Sequence, residues 1–99
     1  MKHYDKRADL KKAIADAIAG KQSLFTHVWG LNVGPPCFHG AQIIGKLFDQ
    51  DTCRLLKTAR AIGMSKVKID RQGTPKQHID LVGEELNRAL ALAKSAEDD

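Results

Sequence analysis

The pair best suited to chemistry lies in His78-Ile79-Asp80-Leu81. In an extended chain residues i and i+2 point to one side, so His78 and Asp80 stand next to each other. A carboxylate beside an imidazole favours the protonated ring and orients it, which is the arrangement used for general acid–base work. His78 and Asp80 are therefore the candidate catalytic residues, the first as base and the second as its orienter. The same two residues also fit a structural histidine beside a helix-capping aspartate. Cations surround the pair. Arg71 and Lys76 bracket the loop Arg71-Gln72-Gly73-Thr74-Pro75-Lys76-Gln77, and Arg88 follows on the last helix. Arginine grips phosphate oxygens with two parallel N–H groups, and a protonated histidine adds a donor.

A second stretch, Gly40-Ala41-Gln42-Ile43-Ile44-Gly45-Lys46-Leu47, comes close to the phosphate-loop pattern GxxxxGK[ST]. The hydroxyl that would hold magnesium is replaced by Leu47, so nucleotide hydrolysis is not expected. A lesser role survives: the His39-Gly40 turn feeding a helix start, with Lys46 beyond it, can hold one phosphate. The candidate ligand-binding residues are thus His39, Gly40, Lys46, Arg71, Lys76 and Arg88. Cys37, His39, Cys53 and His78 could offer two sulfurs and two nitrogens to zinc. However, Cys37-x-His39 lacks the usual C-x₂₋₄-C spacing and the other two stand alone. No metal centre and no cofactor is expected. His27 lies in an apolar run between Phe25 and Trp29 and reads as a hydrogen-bonded core or edge residue.

Charge is unevenly spread. Residues 54–78 carry seven basic residues against Asp70 alone, a balance of +6, whereas residues 79–99 carry two basic against six acidic, a balance of −4. A basic stretch attracts phosphate polymers, and it equally suits a solvated face or complementarity to the acidic tail. Residues 54–78 contain no aromatic side chain, which disfavours a base-stacking, single-strand mode.

The elements that must position these residues follow from periodicity. Residues 5–19 read as a basic amphipathic helix with Leu10, Ala13, Ile14, Ala17 and Ile18 inward, closed by Gly20. Residues 24–31 read as a strand buried on both faces. Val33 to Gly40, with two prolines and two glycines, reads as irregular. A short helix is expected at 41–48, with Ile44, Leu47 and Phe48 inward. A second helix spans 52–62, capped by Asp49 or Asp51, with Leu55, Leu56, Ala59 and Ile62 inward. Lys66-Val67-Lys68-Ile69-Asp70 alternates like a half-exposed strand. His78–Leu81 is a short extended piece, and a last helix at 83–95 buries Leu86, Ala89, Leu90 and Ala93.

The resulting fold class is α/β, a small sandwich with a short, mostly parallel sheet of two or three strands and three to four helices. The chain has 99 residues, 42% of them hydrophobic and 28% charged, with a net charge of +4. That is room for one domain, 1–99, made of the helix 5–19, an α/β core over 24–95 and a frayed acidic tail at 96–99. No apolar run spans a membrane, and no apolar stretch follows the first residues as in a signal peptide, so a cytoplasmic protein with no membrane partner is expected. Two cysteines make no disulfide framework. A sheet this narrow leaves edges open, which suits a homodimer or another protein partner.

Three pieces between Leu55 and Ala93 resemble an uncharacterised family of small bacterial and phage proteins, domain of unknown function 4031. They are Leu56-Lys57-Thr58-Ala59-Arg60-Ala61-Ile62-Gly63-Met64, Gly73-Thr74-Pro75-Lys76-Gln77-His78-Ile79-Asp80-Leu81 and Asn87-Arg88-Ala89-Leu90-Ala91-Leu92. The resemblance implies that His78, Asp80 and Arg88 occupy the family's characteristic polar positions. It carries no reaction with it. The chain departs from the family pattern in its basic helix 5–19 and in having Ile69-Asp70 where an aromatic residue is usual.

The expected function is a small binding protein for a phosphate-bearing small molecule or a nucleic-acid backbone. The alternatives are a small His78-dependent hydrolase or phosphodiesterase, and a phage- or plasmid-type accessory protein that binds a host protein.

Overall fold

The structure, a computed structural model, describes residues 1–28 and 43–97. Four strands form one sheet in the order β1-β2-β3-β4: β1 (Lys2–Tyr4), β2 (Ser23–Val28), β3 (Ile43–Phe48) and β4 (His78–Leu81). β1 runs parallel to β2; β2 with β3 and β3 with β4 are antiparallel. The helices are α1 (Leu10–Ile18), preceded by a 3₁₀ turn at Arg7–Asp9, then α2 (Thr52–Ala61) and α3 (Gly83–Glu97). The fold is α/β, as the sequence implies, with a sheet that is mixed and four-stranded rather than mostly parallel and two- or three-stranded. No helix among the described residues is long and apolar enough to cross a membrane.

The difference comes from β3. Residues 43–48 form a strand where a short helix was expected. Phe48 and Ile44 pack on one face and Leu47 on the other, and all three are buried. A strand covered on both sides loses its polar alternation, so its apolar residues match a helical stripe equally well. Gly45 belongs to this packing: a Cβ there would collide with the Leu86 Cδ1 methyl of α3. With β3 central, β2, β3 and β4 alternate in direction, and among the described residues β1 with β2 is the one parallel pair.

The segment 66–70 corrects a second expectation. Val67 and Ile69 do turn inward against the core and Lys66 and Lys68 outward. No ladder forms apart from one antiparallel bridge, Asp70 with His78. The alternation reports facing, not pairing.

Two apolar layers sandwich the sheet. Leu24, Leu47, Ile79 and Leu81 meet Leu55, Ala59 and Ile62 of the α2 region and Leu86, Ala89 and Ala93 of α3. Tyr4, Phe25 and Phe48 on the other face meet Ala13 and Ala17 of α1. Each fully buried Leu, Ile or Phe contributes about 1.5–3 kcal/mol, so the larger layer dominates stability. Ile18, expected inward, is 59% exposed.

Candidate functional site

β4 sorts its side chains by alternation. Ile79 and Leu81 enter the α2–α3 layer, so His78 and Asp80 share the opposite face. Register decides their neighbours. Phe48 lies across from His78 and Lys46 across from Asp80 on β3. On the outer side Asp70 is bridged to His78 by two backbone bonds, Asp70 N–H to His78 O at 2.8 Å and His78 N–H to Asp70 O at 3.0 Å. Four polar side chains therefore meet: Lys46, Asp70, His78 and Asp80.

Within this group the His78 ring is 4% exposed and packs against Phe48, with ring centroids 5.2 Å apart. Its Nδ1 lies 2.7 Å from the Lys76 carbonyl oxygen. A carbonyl only accepts, so Nδ1 carries the hydrogen and donates it. Nε2 faces Asp80 Oδ1 at 3.4 Å and Asp70 Oδ2 at 3.5 Å. Lys46 Nζ stands 3.4 Å from both Nε2 and Asp80 Oδ1. Burial alone would push the Asp80 carboxyl up; the bond from His78 and the charges of Lys46 and His78 outweigh it and hold that carboxyl below its ordinary range. Both ring nitrogens of His78 are thus engaged, and neither faces open solvent as a free general base would.

The loop that leads into the site is pinned. Arg71 adopts a left-handed backbone, φ 52°, and its carbonyl accepts from Thr74 N–H and Thr74 Oγ1. Buried Gln77 donates to Asp49 O at 2.9 Å and accepts from Gly73 N–H at 3.0 Å. Gln50 donates to the Pro75 carbonyl at 2.8 Å. These bonds hold Arg71 and Lys76 exposed at the two ends of a loop whose closing pair is Asp70–His78.

Of the sequence-derived candidates, the fold brings His78, Asp80 and Lys46 into contact and leaves Arg71 and Lys76 on the adjoining loop. Arg88 belongs elsewhere. It sits on α3, across the sheet, where Nη1 donates to Ile62 O at 3.1 Å and Nη2 pairs with Glu84 at 3.3 Å. There it secures the end of α2 beside Gly63, whose φ of +91° leaves a glycine-only turn. His39, Gly40 and Cys37 lie outside the described residues. Cys53 is exposed on α2 and free. His27, half-buried on β2, stacks on Phe25 with centroids 5.6 Å apart.

Asp70 joins the site without a sequence signal of its own. It ends an alternating segment, and its partner in sequence is a loop, so only the backbone bridge to His78 reveals it. Asp49 is a second residue whose role emerges from the structure. It is fully buried at the end of β3, and both its oxygens receive Arg54 at 2.7 Å. Gln22 and the Asp51 N–H complete its shell at 3.0 and 2.9 Å. Helix capping falls instead to Asp51, which accepts from Arg54 N–H at 3.1 Å. An open groove of about 840 Å³ beside this cluster is walled by Lys2, Tyr4, Asp16, Lys21, Gln22 and Arg54. Its Arg54 and Tyr4 are already engaged by Asp49 and Asp16.

Comparison with known protein families, with characterised proteins and with solved structures finds no match to this chain.

Proposed function

We propose that the protein binds the phosphate backbone of a nucleic acid through cations presented by α2, the segment after it and the loop before β4. One observation carries this reading. Of the seven basic residues between 54 and 78, Arg54 is neutralised by Asp49. The other six, Lys57, Arg60, Lys66, Lys68, Arg71 and Lys76, are all exposed, and none pairs with a carboxylate among the described residues. Unpaired surface cations within about a Debye length of one another add their fields and release counterions when they meet a polyanion. The absence of aromatic residues from 54–78 favours backbone contact over base stacking, and so a duplex over a single strand.

Fluorescence anisotropy of a labelled duplex across a salt series tests the reading. Binding should be measurable at low salt and fall linearly on a log–log plot, by about 0.9 decades per decade of salt for each phosphate neutralised. The triple variant Lys66→Glu, Lys68→Glu, Lys76→Glu changes only exposed side chains and should abolish it. An affinity that is undetectable at low salt, or indifferent to salt, overturns the proposal.

A further inference from the structure

We infer that Asp70, His78 and Asp80 form the protein half of a divalent-cation site, independent of the phosphate-binding reading because it uses carboxylates and an imidazole rather than the exposed cations. The geometry of the ring comes first. With Nδ1–H committed to the Lys76 carbonyl, a neutral His78 presents its lone pair at Nε2. The ring is 4% exposed and packed against Phe48, so that direction is held by the fold. Two carboxylate oxygens converge on the same lone pair, at 3.4 and 3.5 Å. Three acceptors turned toward one another need positive charge among them, and in the metal-free protein Lys46 Nζ supplies it from 3.4 Å to Nε2 and Asp80 Oδ1.

The spacing suits a metal ion. At metal–ligand bonds of about 2.1 Å, neighbouring ligands in a tetrahedral shell are roughly 3.4 Å apart. The two measured edges match this, and all three ligating atoms lie within 4.8 Å of one another. The edge between the two carboxylates falls within the same 4.8 Å, and Asp70, 53% exposed, has the freedom to turn and adjust it. The Nδ1–H bond to a backbone carbonyl is also the support that metal-bound histidines use to fix ring orientation. One nitrogen with two oxygens favours an ion of the Mn²⁺, Fe²⁺ or Zn²⁺ class over Ca²⁺ or Mg²⁺, which prefer all-oxygen shells.

Lys46 then acquires a specific role. Its ammonium touches Nε2 and Asp80 Oδ1, the two atoms a bound ion would claim, and does not reach Asp70 by any ion pair. It acts as a resident counter-ion that the metal must displace, and its partly exposed side chain can swing into solvent.

Titration of the full chain with Mn²⁺, followed by calorimetry and by paramagnetic broadening of histidine ring signals, tests this. Mn²⁺ is the probe because it favours oxygen and nitrogen over thiolate, which keeps the cysteines silent. One ion per chain should bind and broaden the His78 signal. Asp70→Asn, which keeps the backbone bridge and removes an exposed charge, should weaken affinity at least about tenfold. Lys46→Gln should strengthen it by about tenfold, because a like charge at contact distance is removed. Circular dichroism of both variants checks that they fold. Absence of binding at millimolar Mn²⁺, binding unchanged in folded Asp70→Asn, or weaker binding in folded Lys46→Gln overturns the inference.

Discussion

Two carboxylate clusters flank the sheet, and they are built on opposite principles. Around the Asp49 carboxylate every side-chain bond is short: Arg54 at 2.7 Å to each oxygen, the Asp51 N–H at 2.9 Å and Gln22 at 3.0 Å. The carboxylate is 0% exposed, and donors meet both of its oxygens. Such a fork between guanidinium and carboxylate is the strong form of ion pair. It ties the end of β3 to the start of α2 and, through Arg54 Nη2 to Gly20 O at 2.9 Å, to the end of α1. Around His78 the contacts among side chains lengthen to 3.4–3.5 Å, and acceptors outnumber donors. Asp80 and Lys46 are 22% and 25% exposed. A closed, saturated cluster holds three elements together. An open cluster with surplus lone pairs is suited to receive something.

Substitution should separate the two. Asp49→Ala leaves Arg54 without its buried partner and strips the Asp51 N–H and Gln22 of an acceptor. It should cost about 3 kcal/mol, read as a lowered urea midpoint. Asp80→Asn should cost within about 1 kcal/mol in the same assay, since its ion pair is long and partly solvated. If Asp80→Asn proves the more damaging, the distinction between holding and receiving clusters collapses.

A third carboxylate contact sharpens the comparison with the smallest effect. Tyr4 donates its phenolic hydrogen to Asp16 Oδ2 at 2.5 Å. That bond, aided by burial and the charges of Asp16 and Asp9, pushes the Tyr4 pKa from 10.0 up to about 12. The folded value is raised, so the bond's contribution to stability is complete below about pH 10 and is lost as pH rises through about 12. Tyr4 is the single tyrosine, so tyrosinate absorbance reports it alone. Its midpoint should fall toward 10.0 in Asp16→Asn. An unshifted midpoint in the parent protein would place this contact with the loose cluster rather than the tight one.

Much of the frame was legible along the chain. α2 and α3 fall where the 3.6-residue stripes of Leu55, Ala59, Leu86, Ala89 and Ala93 place them, because an amphipathic helix carries its period whatever it packs against. The extended His78–Leu81 piece and the pairing of His78 with Asp80 on one side follow from the two-residue repeat. β1 escaped because three residues, Lys2–Tyr4, are too few to show any period. β3 escaped because burial on both faces erased its alternation.

The sequence by itself determined what is local: helical faces, the shared side of His78 and Asp80, the turn at Gly63, a capping aspartate before α2 that could be Asp49 or Asp51, and the excess of cations between 54 and 78. The tertiary structure alone decided which distant residues meet. Lys46 reached Asp80 through strand register, Asp70 reached His78 through one backbone bridge, and Arg88 went across the sheet to the end of α2. Side-chain direction is set within a few residues by backbone geometry. Partnership between residues tens of positions apart depends on how strands pair and layers pack, and no short-range pattern records that.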